Sequence, residues 1–323
     1  MTADLRELLV TPESEIALAL AALLFGLVVG SFANVVIHRL PERGEAEGDP
    51  GDERGLLAAI AAAWARVAHP RRSHCPHCGA AIGARDNVPV LSFLLLGGRC
   101  RSCRAPIAWR YPLVEAANGT MWAGLLLVHG PSLRTGVLML LGTTLLVLAL
   151  IDLELQLLPD ALTLPGTALG LLLAGLASAG VPGWPLPLLG SPSAVAPGPL
   201  PVGLLRAFSL LDGAAPAAAF GYSMFWLIAW IWQKHVRPGV EALVQGDWKL
   251  AAMLGAFLGS RGLLLTVFLA TLAGSLVGVS LMGLRRGDMQ SRLPLGTFLG
   301  LAGIVVLFCG EPLFAWYTGL FDA

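Results

Sequence analysis

Residues 135–176 read TGVLMLLGTTLLVLALIDLELQLLPDALTLPGTALGLLLAGL. An uncharged run over 135–151 ends at Asp152, and a short connection carries Glu154 and Asp160 before a second uncharged run begins. Each run approaches the roughly 20 apolar residues that a helix needs to cross a bilayer core. A pair of spanning helices joined by an acidic connection is therefore expected here, and the rest of the chain repeats the pattern. Apolar runs at 16–37, 112–130, 213–233, 248–260, 262–283 and 295–312 bring the expected number of spans to eight; the 248–260 run is short, and a tilted, partly re-entrant or merged arrangement with 262–283 stays open.

Composition supports this reading. Hydrophobic residues make up 56% of the 323 and charged residues 13%, against roughly 25% charged in soluble domains; mean hydropathy is +0.73. That polar content is too small to coat a soluble globule. The 21 basic and 21 acidic residues cancel, so there is no nucleic-acid signature. With Asp4, Glu7, Glu13 and Glu15 before it, the first run lacks the basic start of a cleavable signal and is expected to remain as an anchor.

Basic residues set the expected orientation. With eight alternating spans, the connections 39–110, 234–249 and 284–293 share one side and hold seventeen of the 21 Lys and Arg. Arg6, Arg134, Arg206 and Arg261 fall on the other. The positive-inside rule then puts the 39–110 loop in the cytoplasm and both termini outside it. Three parts are expected: an N-terminal span over 1–38, a cytoplasmic domain over 39–110, and a polytopic membrane core over 111–323. Within that core, the Pro- and Gly-rich stretch 181–211 reads as an irregular extracytoplasmic insertion, because proline fixes φ and removes a backbone donor.

Two constellations carry chemistry. Cys75-Pro-His-Cys78 and Cys100-Arg-Ser-Cys103 are paired CxxC knuckles, and Gly79 permits a tight turn after the first. Two such knuckles make the four-sulfur cage that Zn²⁺ prefers, and four thiolates leave no open position, so the expected role is structural. Disulfides or idle thiols are the competing reading; a reducing cytoplasm favours the metal. Separately, Asp152 and Asp247 sit at the expected cytoplasmic ends of spans, where carboxylates are costly and functional by default. Two carboxylates in close contact share a proton, and one can activate water while the other polarises a carbonyl. Helix capping explains them equally well from spacing alone, and for Asp160, after Pro159, it is the better reading.

Six blocks in order now carry a family resemblance: GSFANVVIHRLP (30–41), SHCPHCGAAI (73–82), DNVPVLSFLLLGGRCRSCRAPIAWRYPLVEAANG (86–119), DLELQLLPDALTLPG (152–166), QGDWKLAAMLGAFLG (245–259) and RLPLGTFLGLAG (292–303). Together they resemble the bifunctional type IV prepilin peptidases of pilus and type II secretion systems, which are GxGD-type aspartic membrane peptidases. The resemblance implies an all-α integral membrane protein of the bacterial inner membrane with a small zinc-ribbon-like cytoplasmic insertion. It makes Asp152 and Asp247 the catalytic pair facing the cytoplasm, and matches Cys75, Cys78, Cys100 and Cys103 to the family's cysteine tetrad. Prepilin or pseudopilin precursors would be the substrates, cut after the leader's terminal Gly, with the new amine then methylated from S-adenosylmethionine. No glycine-rich cradle marks a site for that cofactor; Asn34 and Glu115 read as interhelical polar residues. Val244 stands where the family's motif has glycine, and only Glu241 is acidic just before Asp247. A membrane scaffold with a zinc module, or a transporter relaying protons through the same aspartates, are the rival classes.

Overall fold

The computed structural model describes residues 12–41, 55–70, 72–178, 213–236, 243–284 and 293–319. The 181–211 insertion lies outside them. Long helices are α1 (Pro12–Arg39), α4 (Arg110–His129), α5 (Leu133–Leu155), α6 (Asp160–Ser178), α7 (Ala214–Ile231), α8 (Gln245–Gly283) and α9 (Leu295–Gly319), with shorter α2 (Leu56–Ala68) and α3 (Leu91–Leu95) between α1 and α4. Among the described residues, all but α4 of the long helices are long and apolar enough to cross a membrane, which makes six. Arg110, Glu115 and Asn118 dilute the apolar content of α4, the helix expected from the 112–130 run. The architecture is thus all-α and multi-pass; among the described residues, strand pairing is limited to two isolated bridges.

Two compact units divide the chain at Val147 and Leu148. In the first, α1 and α4 pack through glycine. A Cβ on Gly26 would lie 2.9 Å from the Cα of Gly119, and one on Gly30 would lie 2.9 Å from that of Glu115. Backbones this close exchange polar contacts: Asn118 Nδ2 donates to the Gly26 carbonyl at 2.7 Å. Thr143 Oγ1 continues the chain, 2.8 Å from Asn118 Oδ1 and accepting from Trp122 Nε1 at 2.9 Å. Without water, buried amides must find such partners in protein.

In the second unit α8 is broken. Gly259 has φ 70° and ψ 179°, a region essentially closed to other residues. The break turns the chain back on itself. Its first half runs antiparallel to α7, with Gly221 against the Ala251 carbonyl and Gly255 against that of Ala217. Its second half runs antiparallel to α9, with Gly274 near Phe298 and Gly278 near Leu293. The two runs 248–260 and 262–283 are therefore separate antiparallel segments. The first half is only about 21 Å long at 1.5 Å per residue, short of the roughly 30 Å hydrocarbon core. Leu250 to Ser260 are all buried, so the interrupted backbone faces protein rather than lipid, the condition under which such a break is tolerated.

Gly259→Ala should destabilise the protein by about 1–3 kcal/mol through its left-handed backbone. Gly136, whose added Cβ would meet nothing within 4 Å, is the control, with an expected change under about 0.5 kcal/mol. Unfolding in mixed detergent micelles measures both.

Candidate active site

Asp152 lies in the last turn of α5, where its own helix presents carbonyls and no donors. Its donors come from the start of α9: Thr297 N–H reaches Asp152 Oδ2 at 2.6 Å, and Thr297 Oγ1 lies 3.0 Å from the same oxygen. A helix N-terminus is a natural seat for a carboxylate. Gly296 makes the approach possible, since a Cβ there would sit 2.9 Å from Asp152 Cγ. Asp152 is 5% exposed and Asp247 6%.

Asp247 occupies the first turn of α8. Its Oδ2 accepts the Val244 N–H at 3.2 Å, so the capping role anticipated as the alternative is real. The two aspartates nonetheless converge. Leu158 is wedged between the neighbours of both: added Cβ atoms on Gly246 and Gly296 would lie 2.7 Å from Leu158 Cβ and 2.8 Å from its Cδ1. The C-terminal end of α5 and the N-terminal ends of α8 and α9 thus meet at one end of the unit.

Asp160 does more than open a helix. Lys249 Nζ, two residues past Asp247, contacts its two carboxylate oxygens at 2.6 and 2.7 Å. This half-buried pair ties the start of α6 to α8 beside the aspartates.

The four expected cysteines also come together. Their Sγ atoms lie within 4.8 Å of one another, and all four are free thiols. Sulfurs around a tetrahedral zinc at 2.3 Å stand about 3.8 Å apart; Cys75 Sγ and Cys103 Sγ are 3.8 Å apart. The donor set therefore fits a metal ion. The knuckles are local copies: Cys75 N–H bonds the Ala80 carbonyl and Cys100 N–H that of Ala105, at 2.9 and 2.8 Å. Gly79 and Arg104 take the same left-handed position, φ 69° and 61°. The Cys103 and Ser102 amides pull the Cys100 thiol down to about 6, while burial and the neighbouring thiols push Cys103 up to about 11. Arg101 clamps Asp86 with three contacts of 2.6 to 3.0 Å, and the hydrogen bonding holds the Asp86 carboxyl below its usual range.

Asn34 donates to the Tyr111 carbonyl at 3.1 Å and Glu115 accepts the Val90 N–H at 2.7 Å, an interelement role for each. Sequence reasoning missed Gly296 and Thr297. Their one signal was a small residue and a hydroxyl in the first turn of an apolar helix.

Fold and site define a multi-pass α-helical membrane protein with two buried aspartates at one end and a cysteine module in a connecting loop. Residues 24–129 match the bacterial peptidase A24 N-terminal domain, and residues 139–279 match the type IV leader peptidase family. A prepilin leader peptidase/N-methyltransferase of Burkholderia pseudomallei is 39% identical over 307 residues, covering 92% of this chain and 87% of its own. Proteins of the same description from Pseudomonas aeruginosa and Aeromonas hydrophila are each 36% identical, covering 94% and 91% of both chains. No solved structure matches. The chain belongs to the type IV leader peptidase family and, as such, is a multi-pass protein of the bacterial inner membrane.

Asp160→Ala should cost more stability than Lys249→Met. It strands the better-buried partner, since the Lys249 side chain is 21% exposed and that of Asp160 41%, and an uncompensated buried charge is the larger penalty. Thermal unfolding of the two variants in detergent ranks them.

Proposed function

We propose that this protein is a prepilin leader peptidase in which Asp152 and Asp247 form the catalytic pair. The single observation supporting that assignment is their convergence from helices 95 residues apart in sequence into one buried cluster with Thr297. Thr297 occupies Oδ2 of Asp152 and leaves Oδ1 to hold water. Asp247 hydrogen-bonds only the Val244 amide among the described contacts, and can carry the shared proton toward the scissile carbonyl. Water then adds to the carbonyl carbon while Asp152 takes its proton. As the tetrahedral intermediate collapses, Asp152 gives the proton it took from water to the leaving amine and Asp247 recovers its proton from the reforming carbonyl. Thr297 and Gly296 position Asp152 and touch no substrate.

Substrates are type IV prepilin or pseudopilin precursors; of these the relatives' description names prepilin. The basic balance of the loops places the pair at the cytoplasmic face, with the 39–110 module in the cytoplasm and eight membrane segments in all, counting α4 and both halves of α8. Cys75, Cys78, Cys100 and Cys103 hold a structural zinc, in a fold resembling a zinc ribbon; the metal locks the two knuckles and takes no part in hydrolysis. The relatives' description also names an N-methyltransferase; the resemblance makes the new terminus its target and S-adenosylmethionine the methyl donor. Buried Asn34 Oδ1, unpartnered among the described residues, and the Glu115 carboxylate are acceptors suited to that cofactor's cationic end.

Asp152→Asn and Asp247→Asn should each abolish leader removal, measured by the mobility of a co-expressed prepilin; intact processing in either variant refutes the dyad. Thr297→Val removes a hydrogen bond to a charged group, worth roughly 1.5–3 kcal/mol, so kcat should fall about 10–100-fold with KM unchanged, and Thr297→Ser should restore it. Elemental analysis should find one zinc per chain, lost when Cys75 and Cys100 are both changed to Ser.

A further inference from the structure

Between the two cysteine knuckles, α3 holds its apolar side chains outward. Leu91 is 51% exposed, Leu94 62% and Leu95 77%, and beside them Trp109 is 67% exposed. The turn is firmly built. Ser92 Oγ accepts the Val88 N–H at 2.8 Å and donates to the Arg85 carbonyl at 3.0 Å. Phe93 packs on Trp109, ring centroids 4.6 Å apart, and its far edge lies over Gly98. Val90, at φ 60°, sits in a region a β-branched residue avoids, and its N–H is held by Glu115. A rigid scaffold is thus spending strain to present bare leucines.

Glu115 fixes the depth. It lies five residues into α4, roughly 7–8 Å along the axis from Arg110. The amide it holds puts α3 alongside the first turns of that helix rather than out in the cytoplasm. There the outward face of α4 is itself apolar, with Leu113 62% exposed. Leucines and a tryptophan at that level match the boundary between headgroups and acyl chains. Arg85 and Arg99, exposed and joined to the turn through backbone contacts, suit anionic headgroups.

We propose that Leu91, Leu94, Leu95 and Trp109 are immersed in the cytoplasmic leaflet, anchoring the cysteine module to a bilayer containing anionic lipid. The inference rests on α4 spanning the membrane and not on the aspartate chemistry, so either can fail without the other.

The test is photocrosslinking of the full-length protein carrying p-benzoylphenylalanine at position 95. The protein is reconstituted in phosphatidylethanolamine/phosphatidylglycerol vesicles with alkyne-tagged phosphatidylglycerol as tracer. The same probe at Leu113 gives the lipid reference and at His77, on the first knuckle, the water reference. Retained leader cleavage verifies folding, and the probe at Leu94 serves if position 95 is not tolerated. Lipid labelling within about twofold of Leu113 and several-fold above His77 is expected. Labelling at the His77 level overturns the proposal, as does an adduct mainly to a second copy of the chain or to added prepilin.

Discussion

A carboxylate at the end of an apolar helix must find its donors inside the protein, because the surrounding lipid offers none. At Asp152 the demand is acute: it sits where α5 exposes carbonyls, the wrong end of its own dipole. Only the N-terminus of another helix reverses that field, and α9 provides it through the Thr297 N–H. Delivering that N-terminus to the same end as Asp247 requires α8 to leave and return. A straight α8 would carry its last residue about 57 Å from its first, beyond the roughly 40 Å that the eleven-residue link to α9 spans at full stretch. The break at Gly259 is therefore tied to the electrostatic needs of a residue on a different helix.

Close approach follows from the same requirement. Gly221, Gly255, Gly246 and Gly296 each stand where a Cβ would strike a neighbour. Membrane helices gain little from burying apolar surface against one another, so contact comes from shape, and small residues allow backbones to touch. Gly296 does this at the site itself, and any side chain there would displace the carboxylate that Thr297 holds.

Much of this was legible in the sequence. Uncharged runs gave the helices, but how the short 248–260 run joins the next shows only in the break at Gly259. Asp152 and Asp247 stood out because charge beside long apolar runs is rare, and the four cysteines because their spacing has few other uses. Other features left little trace. Thr297 is one hydroxyl in an apolar helix, and its partner lies 145 residues away. Asp160 read as a cap because capping is local, whereas its pairing with Lys249 crosses 89 residues. Arg104 adopts the turn that Gly79 makes, a conformation that sequence reasoning assigns to glycine. Local pattern reveals what a residue does to its own segment; contacts between distant segments appear only once the chain is folded.

The Asp160–Lys249 pair bears on the chemistry as well as the packing. Two aspartates share a proton only if no cation settles between them, since a fixed positive charge stabilises both in the ionised form. Lys249 is two residues from Asp247, and its ammonium is held by both oxygens of Asp160. The cation is thereby neutralised by a third carboxylate rather than by Asp152 or Asp247. An aspartate that looked like a simple helix start thus also sets the charge balance next to Asp247.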